Sequence, residues 1–181
     1  MRIIAGERKG ARIFAPKGME TRPTSDRVRE AAFNLIGPVD GAAVIDLFAG
    51  SGAMGLEALS RGAESCVFVE SDREAARTID RNLEKLRLSG ATVLRLEVKT
   101  ALAAEAAAGR RYDLVLVDPP YGMFDQVHSS LSAYVPALLA PTGLVVVETA
   151  SPEEPELPLA LRTSRRYGST RLTLFVQEQH G

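Results

Sequence analysis

Residues 43–55 read Ala43-Val44-Ile45-Asp46-Leu47-Phe48-Ala49-Gly50-Ser51-Gly52-Ala53-Met54-Gly55, an apolar run that leads into a glycine-rich loop. The run predicts a buried strand over Ala43–Phe48, and the segment Met54–Arg61 after the loop predicts a helix. The three glycines match the pattern G-x-G-x-x-G, in which glycine lets the backbone turn and approach a ligand closely. We therefore expect a strand–loop–helix unit with a ligand at its loop.

Strand-like and helical segments alternate through most of the chain. The strand-like apolar runs are Ala43–Phe48, Cys66–Val69, Val93–Leu96, Leu114–Val117 and Leu144–Val147. The helical stretches between them are Met54–Arg61, Arg73–Leu88, Ala101–Ala108 and Val127–Leu139. Strict alternation predicts an α/β fold, with helices on both faces of a parallel sheet.

The end of the chain departs from this alternation. The runs Leu161–Tyr167 and Arg171–Gln177 are joined by Gly168-Ser169-Thr170, which indicates an antiparallel hairpin. With these two strands the prediction is a mainly parallel, seven-stranded sheet that ends in an antiparallel hairpin.

The front of the chain predicts a small, basic extension. Residues 2–5 and 11–14 surround a turn and indicate a β-hairpin, and Thr24 or Ser25 can cap a helix that runs to about Ile36. We therefore divide the chain into an extension, 1–37, and a main domain, 38–181. Residues 1–29 carry eight basic and three acidic residues, a net charge of +5, on a chain of net charge −1. This asymmetry indicates either a polyanionic partner or a solvated extension.

Composition excludes several classes of protein. The chain has 181 residues, 45% hydrophobic and 25% charged, without a long apolar run or a secretory signal. Its single cysteine, Cys66, excludes internal disulfides and favours a cytoplasmic location. Two histidines, His128 and His180, argue against a metal site or a histidine-based triad. We expect a monomer that binds neither a metal nor a membrane.

Asp118-Pro119-Pro120-Tyr121 follows the apolar run Tyr112–Val117, at the exit of a predicted strand. Two prolines make a stiff turn there, because proline cannot continue a ladder of strand hydrogen bonds. The turn presents an acid, backbone carbonyls and an aromatic ring together. That combination suits a planar substrate with an amino group, although a rigid strand exit with a surface tyrosine is the simpler alternative.

Acids at two further strand ends bear on the cofactor. Glu70 lies about 20 residues after the glycine loop, where a dinucleotide fold places an acid for the ribose hydroxyls. Asp46, however, would be unfavourable beside a pyrophosphate and favourable beside a cation. S-adenosylmethionine carries an ammonium and a sulfonium and no phosphate. It therefore fits the loop better than a nicotinamide or flavin dinucleotide does, and a glycine turn that serves packing alone is the other alternative.

The glycine loop and the Asp118 turn both follow strands that meet at one crevice in a doubly wound sheet. Together, Asp46–Gly52 and Asp118–Tyr121 resemble the Rossmann-like class I S-adenosylmethionine-dependent methyltransferases that modify exocyclic amino groups. The segments that narrow this resemblance are Arg2–Gly6, Gly10–Arg12, Thr21–Glu30 and Arg166–Thr170. They resemble the RsmD-like family of bacterial 16S ribosomal RNA guanine-N2 methyltransferases.

The resemblance implies three sets of site residues. The cofactor set is Asp46, Phe48, Gly50, Gly52, Glu70, Thr100 and Ala101. The catalytic set is Asp118, Pro119, Pro120 and Tyr121, and the RNA-binding set is Arg22, Thr24, Arg27 and Arg29. The family commonly carries Asp or Asn after its third strand. Val98–Leu102 has neither, so either Thr100 substitutes or backbone groups suffice.

The implied reaction is methyl transfer from S-adenosylmethionine to the N2 amino group of a guanine. The implied partner is 16S ribosomal RNA or a small-subunit assembly particle. An amino-methyltransferase acting on DNA adenine-N6 or on protein glutamine shares this chemistry and stays open. A dinucleotide-dependent oxidoreductase is the alternative from another enzyme class. A non-catalytic RNA-binding module would not need both the cofactor loop and Asp118.

Overall fold

The computed structural model describes residues 1–17 and 25–179. Its helices are α1 Asp26–Ile36, α2 Ala53–Ser60, α3 Arg73–Leu86, α4 Val98–Ala107 and α5 Phe124–Leu138. Its strands are β1 Ala43–Asp46, β2 Ser65–Val69, β3 Ala91–Leu94, β4 Tyr112–Val117, β5 Leu139–Ala150, β6 Ala160–Tyr167 and β7 Thr170–Val176.

The seven strands form one sheet in the order β3-β2-β1-β4-β5-β7-β6. Strands β1 to β5 pair in parallel, and β7 lies antiparallel between β5 and β6. The predicted α/β fold with a C-terminal antiparallel hairpin is confirmed. The first strand, β1, lies inside the sheet, and β2 and β3 follow outward on one side of it. The chain then returns and adds β4 on the other side of β1. This reversal opens a crevice at the carboxyl ends of β1 and β4.

Two apolar cores cover the faces of the sheet, because successive side chains of a strand point to opposite sides. On one face, Val44, Leu116 and Val146 pack in a core that also contains residues of α1, α2 and α3. On the other face, Ile45, Val115 and Val145 pack in a core with residues of α4 and α5. The continuous apolar runs seen in the sequence are therefore strands buried on both sides.

The predicted N-terminal hairpin is reduced to a single antiparallel pair, Arg2 with Arg12. Regular strands do not form there because the backbone donors turn towards α2 instead. The N–H groups of Ile4 and Ala5 donate to the carboxylate of Glu57, at 2.8 and 3.1 Å, and Glu7 N–H donates to the Ser60 carbonyl at 2.7 Å.

The front segment also shares the main core. Ile3, Ile13 and Phe33 are buried in the same cluster as residues of α2 and the sheet. The division of the chain at residue 37 stays a prediction. Ser25 caps α1, as expected, by accepting a hydrogen bond from Val28 N–H at 3.1 Å.

Several element boundaries differ from the predicted ones. Helix α4 begins at Val98, three residues before the predicted start, and α5 begins at Phe124 instead of Val127. Strand β5 continues to Ala150, beyond the predicted Leu144–Val147, because β7 pairs with it along that length. Among the described residues, no helix combines the length and apolar character needed to traverse a lipid bilayer.

Candidate active site

A cavity of about 780 Å³ opens where the parallel strands end, and residues from the exits of β1, β2, β4 and β5 and from the start of α4 line it. The crevice predicted from the strand order therefore exists. Among the described residues, the acidic side chains of its lining are Asp46, Glu70, Glu97, Asp118, Glu148 and Glu153, and Lys99 is the one basic side chain. This charge distribution favours cationic ligands and amino groups over phosphates.

Asp46 ends β1 at the floor of this cavity and is only 2% exposed. Its Oδ2 accepts a hydrogen bond from Gly55 N–H at 3.1 Å. The pKa of Asp46 is raised to about 7, mainly by burial; the Gly55 N–H lowers it, and the nearby Asp118 and Glu70 carboxylates add to the rise. A cation in the cavity would therefore gain a buried counter-charge and would favour the ionised form.

The glycines after β1 divide into one that faces the cavity and two that allow close packing. Gly50 lines the cavity, and a Cβ built on it would meet nothing within 4 Å. Gly52 directly precedes α2 with a φ of 85° and is not among the lining residues. At Gly55 a Cβ would lie 2.4 Å from the Phe68 ring. Gly50 can therefore make the expected contact with the cofactor. Gly52 instead provides the left-handed backbone conformation of the turn before α2.

Glu70 follows β2 and holds the glycine loop in place. Its Oε2 accepts from Gly50 N–H at 2.8 Å, and its Oε1 accepts from Asp72 N–H at 3.0 Å. A carboxylate oxygen can accept more than one hydrogen bond. Glu70 can therefore bind ribose hydroxyls while it positions the loop. Phe48, also in the expected cofactor set, is half-buried and lines the same cavity.

Residues Asp118 to Tyr121 all line the cavity at the exit of β4. The Pro120 carbonyl accepts from Met123 N–H at 2.9 Å, which closes a turn into α5. Asp118 lies close enough to Asp46 to raise its pKa. Tyr121 is 79% exposed, so its ring stands at the mouth of the cavity. The two sequence motifs therefore form one site.

The expected cofactor contacts after the third strand are shifted along the chain. Thr100 is exposed and Ala101 is fully buried in the apolar core, and neither lines the cavity. Glu97, Val98 and Lys99 line it instead. The reason is the early start of α4, because the residues at its beginning, Val98 and Lys99, face the cavity and Ala101 lies further along the helix in the core.

Residues at the exit of β5 also line the cavity and were missed by the sequence analysis. They are Glu148, Thr149, Ala150 and, in the following loop, Glu153. Glu148 is only 4% exposed. Its signal was present in the sequence, because an acid directly after the apolar run Leu144–Val147 repeats the pattern that identified Asp118.

The four residues expected to bind RNA differ in whether the structure describes them and in how exposed they are. Arg22 and Thr24 lie outside the described residues. Arg27 is exposed on α1. Arg29 is fully buried, and its guanidinium donates to Glu57 at 3.3 Å, to Asp26 at 2.8 Å and to the Arg2 carbonyl. A buried guanidinium needs such partners. A direct RNA contact by Arg29 therefore disagrees with the structure, which gives this residue a role in holding α1 and α2 together.

Residues 1–176 match the family model described as Conserved hypothetical protein 95. The chain belongs to this family. The match spans both the front segment and the whole sheet. Together with the relatives described next, this match confirms the resemblance to the RsmD-like family inferred from the motifs.

Several proteins similar to this chain are named as methyltransferases. The "Putative rRNA methyltransferase YlbH" of Bacillus subtilis is 39% identical over 184 residues, which cover 97% of this chain and 98% of the relative. The "Ribosomal RNA small subunit methyltransferase D" of Escherichia coli K12 is 34% identical over 187 residues, covering 100% and 92%. The solved "Putative methyltransferase yhhF" from Escherichia coli has a TM-score of 0.83, with 34% identity and 98% coverage of each chain.

Proposed function

We propose that this protein transfers a methyl group from S-adenosylmethionine to the N2 amino group of a guanine in 16S ribosomal RNA. The observation that carries the proposal is the meeting of Asp46 and the Asp118–Tyr121 turn in one acidic cavity. The names of two relatives, which identify them as ribosomal RNA methyltransferases, support ribosomal RNA as the substrate. The protein then acts in the cytoplasm, as a monomer, on the RNA itself or on a small-subunit assembly particle.

The residues of the cavity fit S-adenosylmethionine. Asp46 supplies a buried carboxylate for the ammonium, and the open space at Gly50 lets the backbone approach the amino-acid part. Glu70 accepts from ribose hydroxyls, and Val98 offers an apolar surface at the start of α4. When bound, the cofactor supplies an electrophilic methyl group on its sulfonium. The acidic lining also disfavours a pyrophosphate, which counts against the oxidoreductase alternative.

Asp118 and the backbone carbonyl of Pro119 orient the target amino group. The 2-amino group of guanine is a weak nucleophile because its lone pair is delocalised into the ring. Two acceptors that hold its two N–H bonds favour a pyramidal nitrogen. Positioning of this kind can contribute up to about 7–11 kcal/mol to lowering a barrier. Tyr121 stacks on the base once it leaves the RNA helix, an interaction worth about 1–3 kcal/mol.

The nitrogen must lose one proton after it gains the methyl group. Asp118 or a water molecule accepts this proton. Arg27 and the basic front segment contribute electrostatic attraction to the phosphates of the RNA.

The substitution Asp118→Ala tests this assignment. We expect methyl transfer to fall by about 100-fold or more, in the range that a positioned acid–base group supplies. S-adenosylmethionine should still bind, because Asp46 and Glu70 remain. The measurements are single-turnover rates with labelled methyl donor and calorimetric cofactor affinity. Asp125→Ala removes an exposed acid nearby on α5 and serves as the matched control. A wild-type rate in Asp118→Ala would refute the proposed role.

The target is tested separately, with wild-type protein, labelled donor and separate ribosomal RNA, DNA and protein fractions. Label in N2-methylguanosine from small-subunit RNA supports the proposal. Label in N6-methyladenine or in methylated glutamine replaces it with one of the alternatives that share the chemistry.

A further inference from the structure

We infer that Glu148 is a specificity-determining residue that accepts a hydrogen bond from N1–H of the target guanine. The inference rests on the proposed function and names how the same cavity selects its base. None of the expected cofactor, catalytic or RNA-binding residues lies on β5. The proposed reaction therefore does not yet use the side of the cavity that β5 forms.

The register of the sheet places Glu148 beside Asp118. Val117 pairs with Val147 in the parallel β4–β5 ladder, and the residues that follow them in the chain are Asp118 and Glu148. Neighbouring strands lie about 4.8 Å apart, so the two acids leave the sheet as neighbours.

The two acids also belong to the same face of the sheet. Leu116 and Val146, two residues before them, share the core that contains α2. Side chains two positions apart on a strand point the same way. Both acids line the cavity, and Glu148 is only 4% exposed. A base whose amino group meets Asp118 therefore presents the adjoining edge to Glu148.

The other buried acid of the cavity has a different place. Asp46 lies at the exit of β1 and accepts from the Gly55 N–H, next to the glycine loop. Glu70 accepts from the N–H groups of Gly50 and Asp72 on the same side. Glu148 is on the opposite side of Asp118, because β4 lies between β1 and β5 in the sheet. Its carboxylate therefore faces the substrate side of the cavity.

Guanine suits two adjacent carboxylates because its Watson–Crick edge presents two neighbouring donors, N1–H and the 2-amino group. Adenine presents its amino group beside N1, which is an acceptor. An ionised carboxylate can only accept hydrogen bonds. A buried carboxylate that faces the adenine N1 would lose a hydrogen bond and repel its lone pair, so Glu148 would reject adenine.

The test uses 2-aminopurine, a base that keeps the 2-amino group of guanine but has an acceptor at N1. Mapping of N2-methylguanosine in wild-type reactions first locates the target guanine, because 2-aminopurine pairs with thymine or uracil and is not transcribed in place of guanine. Small-subunit RNA with either guanine or 2-aminopurine at that position is then made by ligating synthetic segments. The two RNAs are mixed in equal amounts, and small-subunit proteins are added to assemble particles from them. The two methylated nucleosides are then quantified by mass spectrometry. Wild-type protein should prefer guanine at least tenfold, because 2-aminopurine lacks the N1–H donor and leaves the buried carboxylate without that hydrogen bond.

Glu148→Gln should lower the ratio of methylated guanine to methylated 2-aminopurine by tenfold or more, because the amide can donate to N1. Glu148→Asp keeps an acceptor and should keep the preference at a lower rate. Glu154→Gln removes a 79%-exposed acid from the same region and should leave the ratio unchanged. Cofactor affinity, measured alongside, should be the same in all four proteins.

The outcomes separate the inference from the proposed function. Absence of N2-methylguanosine with the wild-type protein would reject the proposed function and the inference with it. Methylation of guanine and 2-aminopurine at equal rates by the wild-type protein would reject the inference alone. An unchanged ratio in Glu148→Gln, with a slower reaction on guanine, would also overturn it. The wild-type ratio can reject the inference even if Glu148→Gln fails to fold, and Glu148→Asp then tests whether the preference for guanine follows this carboxylate.

Discussion

Single acids at strand ends define the chemistry of this cavity. Asp46, Glu70, Asp118 and Glu148 each follow an apolar strand residue and line the same space. Burial makes such groups sensitive to charge, because desolvation penalises the ionised form. Asp46 is the clearest example, with a pKa of about 7.

The affinity for S-adenosylmethionine should therefore depend on pH through Asp46. The carboxylate must ionise to bind an ammonium, so affinity should rise roughly tenfold between pH 5.5 and 7, below the pKa of the ligand's own amino group. Calorimetric titration at several pH values measures it. Asp46→Asn should bind weakly with a flatter profile, whereas the exposed Glu64→Gln should behave as wild type.

The raised pKa of Asp46 also makes the stability of the ligand-free protein depend on pH, in the direction opposite to that of the cofactor affinity. The folded protein holds the Asp46 proton up to about pH 7, whereas an unfolded chain releases it near pH 4. Its contribution to stability in the absence of ligand is therefore largest at low pH and is lost as pH rises from about 4 to about 7. For the cofactor, an affinity that fell as the pH rose from about 5.5 to 7 would contradict the assignment of Asp46 as the counter-charge of the ammonium.

At the scale of elements, helix α1 shows what a sequence pattern leaves undecided. Arg27 and Arg29 are two positions apart, which predicts that they point in different directions. The pattern does not say which one is buried. Glu57, from α2, decides this by pairing with Arg29 in the interior, 28 residues away in the chain. The early start of α4 is a similar case, since no capping hydrogen bond from the Glu97 side chain marks it.

We expect Arg29→Ala and Arg27→Ala to separate stability from RNA binding. Arg29→Ala removes a partner from the buried Glu57 and should lower the free energy of unfolding by about 3–5 kcal/mol. Arg27→Ala should leave stability within about 0.5 kcal/mol of wild type, as is usual for exposed positions.

Arg27→Ala should also weaken RNA binding and reduce the slope of log affinity against log salt by about one. Denaturant unfolding and binding titrations at several salt concentrations provide both measurements. A normal salt slope in Arg27→Ala would remove this residue from the RNA surface. Normal stability in Arg29→Ala would refute its structural role.

At the scale of the whole molecule, strand order creates the site. The glycine loop and the Asp118 turn are about 70 residues apart in the chain but neighbours in space, because β1 and β4 pair in parallel. The strands alternate with helices and therefore had to form a covered parallel sheet. The position of β7 between β5 and β6 was not predicted.

The preference for S-adenosylmethionine over a nicotinamide dinucleotide should be measurable as a difference in the free energy of unfolding of the protein with each ligand. S-adenosylmethionine at about 100 times its dissociation constant should stabilise the protein by about 2.7 kcal/mol, because it binds only the folded state. Reduced and oxidised nicotinamide dinucleotides at the same concentration should give no stabilisation. Thermal denaturation with each ligand measures this. Stabilisation by a dinucleotide, without any by S-adenosylmethionine, would restore the oxidoreductase alternative.

The sequence by itself determined the α/β class, the two motifs at strand ends and the chemistry those motifs suit. It could do so because hydrophobic period, glycine spacing and proline stiffness are local properties. Only the tertiary structure decided that Arg29 is buried, that Gly50 and not Gly52 lines the cavity, and that Glu97–Lys99 and Glu148 line it as well. Those assignments depend on which distant segments pack together, and burial and pairing across a sheet are set by the whole fold.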